Sequence, residues 1–99
     1  MGSQKNYQIL IGDDSEADLE YVRETLTGYN PRYQVTTVHD GMELCQKAID
    51  LRPDLILSDL EMPRMNGMEA IQFLKNNFST RHIPIIVISV DENFQEALD

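Results

Sequence analysis

The chain has 99 residues, of which 41% are hydrophobic and 25% are charged, and its formal net charge is −9. This length and composition predict one globular domain, residues 1–99, and argue against an intrinsically disordered chain. The acidic balance argues against direct binding to nucleic acid or to an anionic membrane, because their phosphate groups would repel the domain.

The first predicted unit is a strand, an acidic loop and a helix. Residues 7–11 (YQILI) predict a short strand, which the turn-forming residues after it end. Ser15 is typical of a helix start, and apolar residues then recur at helical spacing until Gly28, which is predicted to end the helix. Asp13 and Asp14 therefore stand at the carboxyl end of the first strand.

The second unit repeats this order. Residues 33–38 are rich in β-branched side chains and predict a strand, after which Asp40 and Gly41 predict a turn. A helix follows, and Arg52 ends it because a residue before proline disfavours the helical conformation. Its apolar face comprises Leu44, Cys45, Ala48 and Ile49, so the single cysteine is predicted to pack in the core.

The third predicted strand ends at Asp59, a candidate functional residue. Residues 55–57 are an apolar run without alternation, which is typical of a strand buried on both faces of a parallel sheet. Asp59 stands where this strand ends, and Pro63 and Gly67 then predict a shaped loop. Taken alone, Asp59 is also typical of a residue that begins a turn or caps a helix.

The last units are a helix, a fourth strand and a final helix. Asn66 and Glu69 predict the start of the third helix, whose apolar face is predicted to comprise Met68, Ile71, Leu74 and Phe78. Residues 84–89 (PIIVIS) are apolar enough to form a strand that is buried on both faces. Asp91 is predicted to cap a last helix.

This alternation of strands and helices predicts a doubly wound α/β domain. Alternation of strand and helix four times over, with short connections, implies a parallel sheet with right-handed crossovers and helices on both faces. Such sheets bind ligands beyond the carboxyl ends of their strands. The ends of the first and third strands are neighbours or near neighbours, so Asp13, Asp14 and Asp59 are expected to meet at one rim of the sheet.

Three carboxylates at one rim predict a metal site. Two carboxylates about 4 Å apart repel by roughly 4 kcal/mol at an effective dielectric near 20, so three gather only where a cation holds them. Oxygen ligands without a His or Cys cluster favour Mg²⁺ or a similar hard ion. Beside such an ion Asp59 is a candidate nucleophile for a phosphoryl group, and Ser89 could donate its hydroxyl to that group. Ser89 is equally typical of a helix start.

These residues resemble the receiver domains of two-component response regulators. The resemblance runs from residue 9 to residue 99 and depends on the acidic pair, on Asp59 before Met62-Pro63 and Gly67, and on the hydroxyl residue that closes the fourth strand. The spacings, 45 residues from Asp14 to Asp59 and 30 from Asp59 to Ser89, are also those of the family. The family's fold is flavodoxin-like, which implies the strand order 2-1-3-4 here.

The resemblance also implies a function and a set of roles. Asp59 would accept a phosphoryl group from a phosphohistidine on a sensor histidine kinase or a phosphotransfer protein, in the presence of Mg²⁺. Asp13 and Asp14 would hold the metal together with Asp59 and the backbone carbonyl of Glu61. Ser89 would move inward to bind the phosphoryl group.

The sequence departs from the family at its C-terminal end. Family members continue with a fifth strand that bears a lysine and with a fifth helix, so we expect this domain to be shortened or part of a longer protein, with weaker phosphorylation. An open fourth strand at residues 85–88 would then pair with a second copy, giving a homodimer or an exchange of elements. Val90 stands where the family carries a small residue.

Two alternative functions remain open at this point. The first is a degenerate receiver that acts only as an interaction module. The second is a Mg²⁺-dependent phosphohydrolase with an aspartyl nucleophile, although such enzymes place a second aspartate where this chain has Glu61. The favoured function is not enzymatic beyond gain and loss of the phosphoryl group. Because the chain has no apolar run of about 20 residues and no apolar secretion signal, we expect it in the cytoplasm.

Overall fold

Strands and helices alternate along residues 5–88, the part of the chain that the computed structural model describes. In chain order the elements are β1 (Tyr7–Gly12), α1 (Glu16–Tyr29), β2 (Tyr33–Val38), α2 (Gly41–Leu51), β3 (Leu55–Ser58), α3 (Gly67–Asn76) and β4 (Ile85–Val87). The four strands form one parallel sheet in the order β2-β1-β3-β4. The predicted doubly wound α/β fold and its strand order are therefore confirmed.

The register of the sheet places the ends of β1 and β3 side by side. Gly12 at the end of β1 aligns with Val38 of β2 on one side and with Ser58 of β3 on the other. The residue after each of these central strands is an aspartate, so both aspartates emerge at the same level of the rim.

The sheet separates two hydrophobic clusters, because successive side chains of a strand point to opposite faces. Leu10 and Ile56 lie in the cluster that α2 and α3 cover. Ile9, Ile11 and Leu57 lie in the cluster on the other face, where Leu19 of α1 covers them. Burial on both faces explains why the central strands read as unbroken apolar runs.

Cys45 packs in the core between α2 and α3, as predicted. Its side chain is buried, and its Sγ lies 3.7 Å from the Met65 sulfur and 3.8 Å from the Ala70 carbonyl oxygen. This burial raises the pKa of the Cys45 thiol above its usual value.

Helix α1 begins as predicted and ends later than predicted. Ser15 is the N-cap, and its hydroxyl oxygen accepts a hydrogen bond from the Asp18 backbone N–H at 3.3 Å. Gly28 lies inside the helix, which ends at the C-cap Asn30. Asn30 precedes Pro31 and has the extended conformation that proline imposes on the residue before it. The prediction that Gly28 ends the helix was wrong because this proline is the stronger stop signal.

Helix α3 starts with the predicted cap but buries only part of the predicted face. Asn66 and Glu69 form a complete capping box. Leu74 of the predicted apolar face is buried, but Met68 is 50% exposed and Phe78 81% exposed, so the prediction was confirmed for Leu74 and wrong for Met68 and Phe78. The buried residues of the helix are Gly67, Ala70 and Leu74. Two of them have little or no side chain, so a pattern of large apolar residues did not indicate them.

Strand β4 lies at the edge of the described sheet. Within residues 5–88 it pairs only with β3, and Ile86 is 51% exposed. Val87, on the opposite face, is also exposed, so the prediction of a strand buried on both faces was wrong for these two residues. The final predicted helix, with Asp91, lies outside the described residues.

Among residues 5–88, none of the helices combines the length and apolarity that crossing a bilayer requires.

Candidate acidic metal site

Three carboxylates meet at the rim where β1 and β3 end. Asp13, Asp14 and Asp59 each place one carboxylate oxygen within 4.8 Å of the other two. Backbone hydrogen bonds that continue the sheet hold the two loops, since the Asp59 N–H donates to the Gly12 carbonyl at 2.9 Å and the Asp13 N–H donates to the Val38 carbonyl at 3.1 Å. The predicted convergence of these aspartates is confirmed, and we call them the acidic triad.

The members of the triad differ in their burial. Asp13 is only 6% exposed, whereas Asp59 is half-buried and Asp14 exposed. Burial raises the pKa of Asp13, and the nearby carboxylates, chiefly that of Asp59, also raise it. The Ser15 backbone N–H, which donates to Asp13 Oδ1 at 3.0 Å, opposes this rise. Burial and the neighbouring carboxylates thus both disfavour the charged form of Asp13.

The donor set fits a hard divalent cation. Among residues 5–88, no Lys or Arg side chain forms an ion pair with any member of the triad, so its charges are not compensated within that part of the chain. Three carboxylates that converge without a cationic side chain are able to hold a metal ion, and oxygen donors are the ligands that Mg²⁺ and Ca²⁺ prefer.

The surroundings of Asp59 leave it accessible from one side. Its Oδ1 accepts a hydrogen bond from the Glu61 backbone N–H at 3.3 Å, and its own carbonyl accepts one from the Ser58 hydroxyl at 2.9 Å. An open pocket of about 190 Å³ adjoins it, lined by Asp13, Asp18, Tyr21, Val22, Asp59 and Ile88. The Glu61 backbone thus lies beside Asp59. The role of the Glu61 carbonyl as a metal ligand stays a prediction. Ser89 and Val90 lie outside the described residues.

An ion pair that was not predicted from the sequence joins the loop after Asp59 to the start of α2. The Arg64 guanidinium, in the loop between β3 and α3, donates to the carboxylate of Asp40, which was predicted only as a turn residue. Asp40 is 3% exposed and caps α2, and the hydrogen bond from Arg64 lowers the pKa of its carboxyl group. The sequence signal that could have indicated this ion pair is the position of Arg64 between Pro63 and Gly67, in the loop that follows Asp59.

Comparison with known protein families identifies one match over most of the chain. The sequence model of the response regulator receiver domain matches residues 9–99. Among curated relatives, the polar-differentiation response regulator DivK of Brucella anthropi is 31% identical over 81 residues, which are 82% of this chain. The chain spans 64% of the length of that relative.

Solved structures have the same fold. The chemotaxis response regulator CheY4 of Vibrio cholerae superposes with a TM-score of 0.81 at 32% identity, over 93% of this chain and 78% of that one. The receiver domain of sensor histidine kinase PA1611 from Pseudomonas aeruginosa PAO1 superposes with a TM-score of 0.79 at 26% identity, over 95% and 75% of the two chains. That domain was solved with a magnesium ion coordinated in its active-site cleft.

Proposed function

The chain belongs to the response regulator receiver domain family, and from that premise we propose that it accepts a phosphoryl group on Asp59 in two-component signal transduction. Members of this family usually act as phosphoacceptors and not as enzymes. The observation that supports this function best is the acidic triad, in which Asp59 faces a pocket while Asp13 and Asp14 lie beside it.

Mg²⁺ is the cofactor of this proposal. Asp13, Asp14 and Asp59 would hold it with one carboxylate oxygen each, together with the backbone carbonyl of Glu61. When bound, the ion neutralises charge on the phosphoryl oxygens. The likeness to the magnesium-bound receiver domain of PA1611 supports this choice over other hard cations.

The chain's own residues account for the transfer. A carboxylate oxygen of Asp59 attacks the phosphorus of a phosphohistidine, so that an O–P bond forms as the P–N bond breaks and the imidazole leaves. The product on this chain is an acyl phosphate. The Glu61 N–H orients the Asp59 carboxylate through the hydrogen bond to Oδ1. Ser89 would donate its hydroxyl to a phosphoryl oxygen, in a role that the resemblance to the family implies.

The partners follow from this chemistry. The phosphoryl donor would be a sensor histidine kinase or a phosphotransfer protein, and the exchange would take place in the cytoplasm. A second copy of the chain is a further partner, because β4 is an edge strand in the described sheet and exposes Ile86 and Val87. Such pairing would form a homodimer.

The phosphohydrolase alternative has less support. Its acid/base residue would be Glu61, two residues after the nucleophile, but the group of carboxylates that converges at the rim does not include the Glu61 side chain. A degenerate receiver would keep the acidic triad but accept no phosphoryl group. A phosphorylation assay therefore distinguishes it from the function proposed here.

Intact-mass spectrometry after incubation with acetyl phosphate and Mg²⁺ tests the proposal. We expect a gain of about 80 Da, the mass of one phosphoryl group, and its loss in Asp59→Asn. The matched control is Asp54→Asn, which alters an exposed carboxylate before the same strand, and it should keep the gain. A wild-type chain that stays unmodified would favour the degenerate receiver. Steady turnover of a small phosphoester would favour the hydrolase.

A further inference from the structure

The loop that follows Asp59 contains a strained turn. The Met65 N–H donates to the Pro63 carbonyl at 2.7 Å, which closes a three-residue turn around Arg64. Arg64 has a φ of 66°, a left-handed value that residues other than Gly, Asn and Asp seldom adopt. Backbone of this kind persists only where surrounding contacts hold it.

An ion pair to a buried partner holds the centre of this turn. The exposed Arg64 side chain donates to one carboxylate oxygen of Asp40, while the other, Oδ1, accepts the Glu43 backbone N–H at 2.9 Å. Asp40 is thereby fixed at the N-terminus of α2 and cannot follow Arg64 if the loop moves. The pair ties the strained turn to a rigid element.

Two close approaches fix the loop on either side of the ion pair. A Cβ atom on Gly41 would lie 2.0 Å from the Met65 carbonyl oxygen, so the loop backbone rests directly on the first turn of α2. A Cβ atom on Gly67 would lie 2.1 Å from the Asp59 carbonyl oxygen. Only glycine permits either contact.

Residues 38–41, which include Asp40 and Gly41, also contact the loop that carries Asp13 and Asp14. The Val38 carbonyl accepts the Asp13 N–H at 3.1 Å, and the His39 ring pairs with the Glu16 carboxylate at the start of α1. Residues 38–41 therefore contact both loops that carry the triad. We call these four residues together with Arg64 the brace.

We propose that the brace holds the two acidic loops at the separation that one divalent cation requires, and that Arg64 is a positioning residue acting through Asp40. This inference rests on the proposed function, since it concerns the cation of the same site. Within residues 5–88 Arg64 forms its ion pair with Asp40 and with no member of the triad. Its effect on the cation is therefore indirect.

Isothermal titration calorimetry tests this role by comparing the Mg²⁺ affinity of the full-length Arg64→Met variant with that of the wild type. We expect binding about ten-fold weaker, the loss typical of residues that orient metal ligands without touching the metal. The sign of the change is decisive. If Arg64 acted only through its charge, its removal would make the acidic rim more negative and Mg²⁺ would bind more tightly.

Arg52→Met is the matched control. Arg52 is also exposed, also has a left-handed φ, of 47°, and lies at the opposite end of α2. Its replacement changes the net charge equally, and we expect Mg²⁺ affinity to stay within about two-fold of the wild type. Arg64→Lys, which keeps a cation for Asp40, should recover part of the affinity.

A double-mutant cycle assigns the effect to the pair. Asp40→Asn keeps a good helix cap while it removes the charge that Arg64 contacts. We expect the double variant, Asp40→Asn with Arg64→Met, to bind Mg²⁺ no more weakly than Asp40→Asn alone. Additive losses would show that the two residues act independently and would overturn the role assigned to the pair.

Hydrogen exchange in the metal-free chain gives a second readout. The Gly67 N–H donates to the Leu60 carbonyl at 2.8 Å across the loop, so its exchange rate reports how firmly the loop is held. Arg64→Met should speed this exchange, whereas Arg52→Met should not. An unchanged rate, or equal or tighter Mg²⁺ binding, would overturn the inference. If the wild type binds no Mg²⁺ the proposed function fails, and the exchange rate alone then decides whether the brace exists.

Discussion

One residue at the rim, His39, connects the start of α1 to the first turn of α2. His39 is half-exposed at the end of β2, and its Nε2 pairs with the Glu16 carboxylate of α1 while its backbone N–H donates to Glu43 at 3.0 Å. The hydrogen bond to Glu16 raises the pKa of the His39 imidazole above its ordinary value of 6.5. His39 thus links α1 to α2 most strongly when it is protonated.

This link predicts a pH dependence of stability. Because the folded state raises the pKa of His39, the stabilisation is fully present below pH 6.5 and is lost as the pH rises through the raised pKa. Urea unfolding should show that Glu16→Gln destabilises the chain by less than about 1 kcal/mol near pH 6, since both groups are exposed, and by less still near pH 8. A loss that grows with pH would contradict this assignment.

The residues of the triad could be predicted, whereas the ion pair between Asp40 and Arg64 could not. Asp13 and Asp59 each follow an apolar run, and parallel strands bring such positions to one rim. Asp40 and Arg64 belong to loops whose separation depends on how closely α2 approaches the loop between β3 and α3. That distance is set by Gly41 and Met65, and no local sequence pattern reports it.

At the scale of elements, strands were easier to predict than helix faces. Strands β2 and β3 are short runs whose composition specifies them, and both were predicted nearly to the residue. Helix α3 packs through Leu74, as predicted, but also through Gly67 and Ala70, because its first turn lies directly against the backbone of Asp59. Large apolar side chains such as Met68 consequently face outward.

Substituting two glycines tests this packing of α3. Gly67→Ala should destabilise the chain by about 1–3 kcal/mol, because the added methyl group meets the Asp59 carbonyl oxygen at 2.1 Å and the loop must shift. Gly28→Ala is the matched change inside α1, where nothing lies within 4 Å, and it should stabilise the chain by about 0.5 kcal/mol. Chemical unfolding measures both. Equal effects of the two substitutions would contradict the close contact at Gly67.

At the scale of the molecule, the described sheet has two interior strands, β1 and β3, and two edge strands, β2 and β4. The interior strands β1 and β3 are paired on both sides, whereas β4 pairs with β3 alone and leaves Ile86 51% exposed. The strand order was predictable from the resemblance to the family. The open edge of β4 was predicted too, but the exposure of the Ile86 and Val87 side chains was not, because an apolar run reads the same whether or not another element covers it.

The edge position of β4 in the sheet formed by residues 5–88 predicts self-association through this strand. Analytical ultracentrifugation should show a dimer for the wild type and a monomer for Ile86→Lys, because a charged side chain on an edge strand opposes pairing. Met42→Lys is the matched control, since Met42 is 55% exposed on α2, away from the edge. The control should dimerise like the wild type. A monomeric wild type, or equal behaviour of the two variants, would contradict pairing through β4.

The acidic triad must hold one divalent ion if Asp59 accepts a phosphoryl group as proposed. Calorimetric titration of Mg²⁺ into the wild type, Asp13→Asn and Asp54→Asn measures this directly. We predict one ion per wild-type and per Asp54→Asn chain, and at least about ten-fold weaker binding for Asp13→Asn, which loses a buried carboxylate ligand. Absence of binding by the wild type, or binding that Asp13→Asn leaves unchanged, would contradict the account.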